Sequence, residues 1–360
     1  MNFGGTLRIN KFACFTLGFI MFLIIYWRSG GSSFPSDKSD LVNIKSLLKA
    51  AIYVAEQGGH KVVGNTENLN VQSKGKTEEG ANNPVTDADY ASHCVMYYSL
   101  KNTFPKINII SEEHTTDSTC TQQKPIDVDA LQTDDGTIDY LNDEHVYAKD
   151  VTIWIDPLDA TQEYTEKLYK YVTTMVCVAI NSVPIVGVIH YPFTPRTYWG
   201  WATKATSNNI PKAVQHRVDN KDHPRVVISR SHAGKVSDIA KEAFGPKTNV
   251  SQAAGAGYKV MSVINGEFDV YFHSTAIKKW DLCAGNAIIN AVDGKMTTAK
   301  GESINYSPGT NVKVSDGLLV ARSTGNGPVA AITLKILRHY LLDCISVLVL
   351  FIGGSHPNNI

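Results

Sequence analysis

Three short acidic elements and one isolated aspartate stand out from the charge background of this 360-residue chain. Ser111–Glu112–Glu113 ends one apolar run and Asp156–Pro157–Leu158–Asp159–Ala160–Thr161 ends another. Trp280–Asp281–Leu282–Cys283–Ala284–Gly285 opens a stretch of helical periodicity, and Asp89 lies in Val85–Thr86–Asp87–Ala88–Asp89. Strand ends let carboxylates converge at a sheet edge without burying an unpaired charge. Pro157 fixes φ between the two aspartates and forces a turn, which can aim both carboxylates and the Leu158 carbonyl at one point. Hard oxygens in such numbers suit Mg²⁺ rather than zinc, and carboxylates crowded together repel unless cations neutralise them. Singly, each element has a plainer reading: a solvated turn for Asp156–Asp159, a helix N-cap for Asp281 and a loop for Glu112–Glu113. Their occurrence together, in this order, favours the chemical one.

The elements that must position them can be outlined from periodicity. Leu41 to Ala55 repeats its apolar residues at helical spacing and should stop at Gly58–Gly59, and a second helix is expected from Asp87 to Asn102. Ile107–Ile110 and Val151–Ile155 read as strands that deliver Glu112 and Asp156. Tyr171–Ile180 and Ile185–Tyr191 read as a hairpin turning at Asn181–Ser182, with Tyr198–Ala202 a possible third strand. Strands at Arg225–Ser229 and Phe268–Phe272 and helices at Ala233–Phe244, Tyr258–Ile264 and Asp281–Val292 complete the outline. This order suggests a layered α+β fold rather than a regularly alternating parallel sheet. Thr115–Asp150 holds nine acidic residues against two lysines and reads as a solvated surface insertion. Ser229–Arg230–Ser231–His232, between strand and helix, offers backbone N–H groups and hydroxyls to an anion. Gly255–Ala256–Gly257–Tyr258–Lys259 offers close backbone approach and one cation.

Composition narrows the classes. Lys plus Arg and Asp plus Glu are 34 each, so the chain is no globally basic nucleic-acid binder. Apolar residues at 43% support a substantial core. The six cysteines include no C-x-x-C pair and are too few for a disulfide scaffold of this length, so Cys177 and Cys283 are expected to be plain core residues. Phe12–Trp27 is sixteen residues without a charge, preceded by Arg8 and Lys11, which reads as a signal-anchor with a cytosolic amino terminus. A cleaved signal peptide is the alternative. Either way the body of the chain leaves the cytosol. Sequons at Asn249 and Asn305 agree with that, and Asn249 is the favoured glycosylation site.

Together the motifs resemble the lithium-sensitive, Mg²⁺-dependent phosphatases related to inositol monophosphatase. Their signature is an Asp, then E-E, then D-P-[IL]-D-G-T, then W-D-x-x-A-G, with Ala160 here in place of the usual Gly. The resemblance implies an αβαβα five-layer sugar-phosphatase-like fold in two halves, with the active site between them. It implies Glu112, Asp156, the Leu158 carbonyl, Asp159 and Asp281 as ligands of two or three Mg²⁺ ions. Asp89 and Thr161 would position and deprotonate the attacking water. Asp156, Asp159 and Asp281, with Ser229, His232, Gly255 and Lys259, would contact substrate. The longer string Trp154–Tyr164, with Lys74–Thr77, Tyr171–Ala179 and Lys278–Asp281, is similar to the Golgi branch of the family. That branch implies a 3′-nucleotidase in the Golgi lumen, acting on 3′-phosphoadenosine 5′-phosphate and clearing this by-product of sulfotransferases. An inositol phosphate phosphatase and an inactive lumenal binding protein are the alternatives; oligomeric state is left open. The expected organisation is a cytoplasmic tail (1–11), a transmembrane signal-anchor (12–27), a stem (28–40), the phosphatase domain (41–321) and a divergent tail (322–360). In that tail, Leu334–Ile352 is apolar but interrupted by Lys335, Arg338 and Asp343, which argues against a second span.

Overall fold

Asn43 starts the first long helix by accepting hydrogen bonds on its side chain from the Lys45 and Ser46 amides (2.8 and 3.4 Å). The computed structural model describes residues 19–21 and 40–322, apart from 68, 77–79, 81, 116, 134, 213–223 and 231–235. His232, most of the expected anchor and the tail beyond Arg322 therefore lie outside the described residues. Of the anchor, Phe19–Met21 are helical and exposed. Among the described residues no helix is long and apolar enough to cross a membrane.

The amino-terminal half runs β1 (Leu41–Asn43), α1 (Ile44–Gly64), β2 (Val71–Lys76), β3 (Asn82–Thr86), α2 (Asp87–Thr103), β4 (Asn108–Ser111) and β5 (His145–Tyr147). It continues through β6 (Val151–Asp159), α3 (Thr161–Thr165), β7 (Thr173–Ile180), β8 (Val183–Tyr191), β9 (Arg196–Trp201) and β10 (Ala205–Thr206). The second half holds β11 (Arg225–Ser229), α4 (Val236–Phe244), β12 (Asn249–Ala253), α5 (Ala256–Ile264) and β13 (Val270–His273). Last come β14 (Ile277–Lys278), α6 (Lys279–Ala291), β15 (Lys295–Thr297), β16 (Lys313–Val314) and β17 (Leu318–Ala321).

A six-stranded sheet in the order β10-β9-β8-β7-β6-β4 is antiparallel except for β4 beside β6. A five-stranded sheet has the order β12-β11-β13-β17-β15. Strand β6 is buried on both faces, which is why it reads as a continuous apolar run. Ile153 and Ile155 face α1 and α2, whereas Trp154 faces the core around α5 and α6. Helix α4 covers the far side of the smaller sheet through Val236, Ala240 and Phe244. The layers are thus α1/α2, large sheet, α5/α6, small sheet, α4, as the resemblance implied.

Local chemistry explains the joints. Asn181 and Ser182 take positive φ (48° and 73°), the left-handed pair that a tight hairpin between β7 and β8 requires. The glycines expected to end the first helix do not end it. Gly58 and Gly59 lie inside α1 because a Cβ there would meet Met96 Sδ at 2.4 Å and the His190 ring at 2.5 Å, so they let α2 and β8 approach. Gly187 serves α6 in the same way, since its Cβ would lie 2.1 Å from the Ala284 carbonyl oxygen.

Two expectations need correcting. Cys177 and Cys283 are not free core thiols: they form a disulfide that joins β7 to α6. A second disulfide, Cys94–Cys120, ties the acidic insertion to α2. Nor is that insertion wholly solvated, because Ile138 and Ala148 are buried in the core beneath α1.

Candidate active site

The Asp–Pro–Leu–Asp segment leaves the β6–β7 ladder, whose register shifts between Asp156 and Asp159. Asp156 Oδ1 accepts from the Leu158 amide (3.2 Å), and Ser92 Oγ on α2 donates to the Pro157 carbonyl (2.7 Å). Ala160 then adopts φ 69° and ψ 45°, a left-handed conformation that costs a Cβ-bearing residue about 1 kcal/mol. The Gly more usual in the family signature fits this backbone. Ala160→Gly is therefore expected to raise thermal stability by about 1 kcal/mol, or about 2–3 °C in Tm. A melting curve checks it, and an unchanged or lowered Tm contradicts the strain argument.

Strand β4 pairs Ser111 with Ile155, and the Glu112 amide donates to the Ile155 carbonyl (3.1 Å), which sets Glu112 beside Asp156. Asp281 sits in the first turn of α6 and accepts from the Lys278 amide (3.1 Å). Carboxylate oxygens of Glu112, Asp156 and Asp281 lie within 4.8 Å of one another. Burial, then the charges of Glu112, Asp159 and Asp281, push Asp156 well above the usual carboxylate range. Burial, then Glu112 and Asp159, push Asp281 up to about 8. Three carboxylates held this close are a donor set that a hard divalent cation fits.

Asp159 is placed differently. Its carboxylate accepts from the Ala256 and Gly257 amides (3.1 and 2.8 Å) and from Thr173 Oγ1 (3.2 Å). It thus lines the same cleft but faces the amino terminus of α5 and lies outside the converging trio.

Asp89 is the third helical residue of α2 and closes a capping box, Oδ2 accepting from the Thr86 amide and hydroxyl (2.7 and 2.6 Å). That leaves Oδ1 to accept from Thr161 Oγ1 (3.0 Å), whose hydroxyl also lies 3.1 Å from the Leu158 carbonyl. Burial pushes Asp89 up to about 7, with smaller contributions from Glu113 and Glu112 and against the Thr86 hydrogen bonds. A carboxylate poised near neutrality beside a hydroxyl can take up a proton through it.

Across the cleft, Gly255 takes φ 68°, and a Cβ there would meet the Tyr171 carbonyl oxygen at 2.6 Å. Lys259 is buried, donates to the Gly255 carbonyl (2.7 Å) and lies 5.1 Å over the Tyr271 ring. Burial brings it down to about 8, while Asp159 and Glu163 oppose that fall. Ser229 Oγ meets His273 Nδ1 at 3.0 Å. The cleft encloses about 580 Å³ and brings together every expected catalytic, metal and substrate residue among those described except Asp89, which reaches it through Thr161.

Three contributors had no role assigned from sequence. Lys74, on the exposed strand β2, ion-pairs with Glu113 and with Glu112 (3.0 Å). Burial would lower its pKa, but the two glutamates raise it. Lys278 reaches Glu112 at 3.4 Å. Arg230 spans Glu163 (3.3 Å) and Glu166 (2.7 Å). The signal available was a basic residue inside each quoted string, but only the folded chain says which carboxylate it meets.

The sequence profile of the inositol monophosphatase family matches residues 43–336. A Drosophila melanogaster protein named putative inositol monophosphatase 3 is 40% identical over 327 residues, covering 88% of this chain and 91% of its own. A Rattus norvegicus protein named Golgi-resident adenosine 3′,5′-bisphosphate 3′-phosphatase is 41% identical over 304 residues, covering 81% of this chain and 82% of its own. Among solved structures, an IMPase of Thermotoga maritima superposes with TM-score 0.59 at 17% identity, over 81% of this chain and 96% of that one. CysQ of Bacteroides thetaiotaomicron gives 0.54 at 22% identity, over 78% and 98%.

Proposed function

The chain belongs to the inositol monophosphatase family, and from that premise we propose that it is a Mg²⁺-dependent phosphoric monoester hydrolase of adenosine 3′,5′-bisphosphate, yielding AMP and phosphate. The observation that carries this is the convergence of Glu112, Asp156 and Asp281 beside the Asp89–Thr161 pair in one cleft. While Asp159 lines the same cleft from the α5 side, the three carboxylates, with the Leu158 carbonyl, would hold Mg²⁺. Bound there, it would supply Lewis-acid stabilisation of the phosphoryl oxygens and a more acidic attacking water. The chain's own residues do the rest. Thr161 Oγ1 donates to Asp89, so its lone pairs are left to orient a water for in-line attack. The proton leaving that water passes to Thr161 as the threonine proton moves to Asp89 Oδ1. Ser229, Gly255, Lys259 and His232 would bind the nucleoside.

Golgi residence follows the names of the rat, Bos taurus and Callithrix jacchus relatives. A lumenal body anchored through 12–27 is the topology that fits two disulfides, which persist in oxidising compartments, and an exposed Asn249 at the start of edge strand β12. A second reading, turnover of inositol phosphates, draws on relatives named inositol monophosphatase 3. Phosphate release by the detergent-solubilised full chain separates the two. Adenosine 3′,5′-bisphosphate is expected to be the better substrate by at least about tenfold in kcat/KM, and only with Mg²⁺ present. Faster turnover of inositol 1-phosphate would reverse the assignment.

A further inference from the structure

The buried Cys177–Cys283 disulfide lies where the two sides of the carboxylate trio are built. On the sheet side, β7 pairs Cys177 with Trp154 of β6, two residues before Asp156. On the helix side, Cys283 follows Asp281 by two residues at the start of α6. Trp280, Cys283, Ala284 and Ala287 recur at helical spacing, and this stripe of α6 faces the large sheet. Cys283 bonds to β7, the Trp280 ring centroid is 6.5 Å from that of Trp154, and Ala284 and Ala287 are what a Cβ at Gly187 of β8 would meet. The other contacts here do not fix the helix along the sheet. The hydrogen bond that Asp281 accepts from the Lys278 amide (3.1 Å) fastens it to its own helix. Apolar packing at Gly187 sets how near α6 comes, but such packing is non-directional and resists sliding only weakly. Charges on Glu112, Asp156 and Asp281, with oxygens within 4.8 Å of one another, push the start of α6 away from β6 until a cation joins them.

We propose that Cys177 and Cys283 are positioning residues for the metal site: their bond holds the start of α6 in register with β6, so that Asp281 stands beside Asp156 before a cation binds. The inference rests on the Mg²⁺ reading above and deepens it. A ligand set held together in advance spares the cation the work of assembling it, so the bond acts on metal affinity as well as on stability. The Cys94–Cys120 disulfide supplies the contrast. It joins α2 to the acidic insertion, and neither end lies on the elements that carry Asp156 and Asp281.

The test measures Mg²⁺ affinity by calorimetry in the detergent-solubilised full chain, and hydrogen exchange of α6 in chelator. Cys177→Ala with Cys283→Ala is expected to raise the Mg²⁺ dissociation constant about tenfold, as loss of a group that orients a metal ligand does. It should also speed exchange at the Cys283–Ala287 amides relative to the rest of the fold. Turnover at saturating Mg²⁺ should be largely retained, because added cation restores the trio. Cys94→Ala with Cys120→Ala should lower Tm too, but leave the Mg²⁺ constant and the exchange of α6 unchanged. Equal loss of Mg²⁺ affinity in both pairs, or no loss in the first, overturns the proposal. Should the first pair fail to fold, Cys177→Val with Cys283→Ala restores volume in the core and is read in the same way. Failure of the metal reading looks different. The wild type then binds no Mg²⁺, and the exchange comparison decides alone: unchanged protection of α6 without the bond overturns its positioning role.

Discussion

Asp156→Asn is expected to lower Mg²⁺-dependent phosphate release by about 10³-fold or more while leaving the protein folded. Asp156 is buried within the trio, and no other residue occupies its position between Glu112 and Asp281. Asparagine keeps the size and the side-chain oxygen that accepts from the Leu158 amide, so the turn should survive. What is lost is a negative charge and an anionic ligand, and a site that stabilises developing charge depends steeply on each such group. The metal-free protein should respond in the opposite sense. Burial, and then crowding with Glu112, Asp159 and Asp281, disfavours ionised Asp156, so a neutral amide relieves both and should raise the Tm measured in chelator. Lost activity together with unchanged or increased metal-free stability distinguishes a ligand from a structural residue. Wild-type turnover of the variant at saturating Mg²⁺ refutes the assignment, and a fall in metal-free Tm would place Asp156 in the fold instead.

The parts of this site that were legible in sequence are those whose information is local. An apolar run ending in an acid announces a strand end, and Pro157 announces the turn after it, so the origins of Glu112, Asp156 and Asp159 could be read directly. That Asp281 lies at a helix start was legible for the same reason, although it occupies the third helical position and not the cap itself. Sheet order was not. Whether Cys177 and Cys283 meet depends on α6 lying across β7, a relation between residues 106 apart that no periodicity encodes. Strand β2 escaped notice because its residues are exposed, mostly polar and carry no alternating pattern, yet it delivers Lys74 to Glu112. Gly58–Gly59 misled for a related reason. Glycine signals a helix end when it supplies backbone freedom, but here it supplies room for a neighbour, which only tertiary contact reveals. The direction of Asp159 was likewise hidden: its spacing from Asp156 allows convergence, but the free amides at the start of α5 compete for it and hold it.

The pH dependence of stability offers a second large effect, and its sign follows from the cleft carboxylates. Without metal, Asp89 titrates at about 7 and Asp281 at about 8, both raised first by burial from an ordinary value of 3.8. Between about pH 4 and pH 8 the folded state therefore holds protons that the unfolded chain has released. Stability contributed by these groups is complete at low pH and is lost as pH rises through that window. His93 and His190, lowered by burial to about 4, act oppositely below about pH 6.5, because they must stay neutral in the fold. The metal-free curve alone is thus a mixture, whereas the difference between Mg²⁺ and chelator cancels the histidines. Mg²⁺ binds the ionised carboxylates, so it competes with protons at low pH and binds with less competition at high pH. At pH 8 and 100-fold over its dissociation constant it should add about 2.7 kcal/mol, or roughly 5 °C or more in Tm. At pH 5 the gain should fall to about 2 °C or less, since two or more bound protons must first leave the cleft. Melting curves at both pH values, with Mg²⁺ and with chelator, check this. A Mg²⁺-induced shift that is flat with pH, or larger at pH 5, means that the ion does not sit on the buried carboxylates.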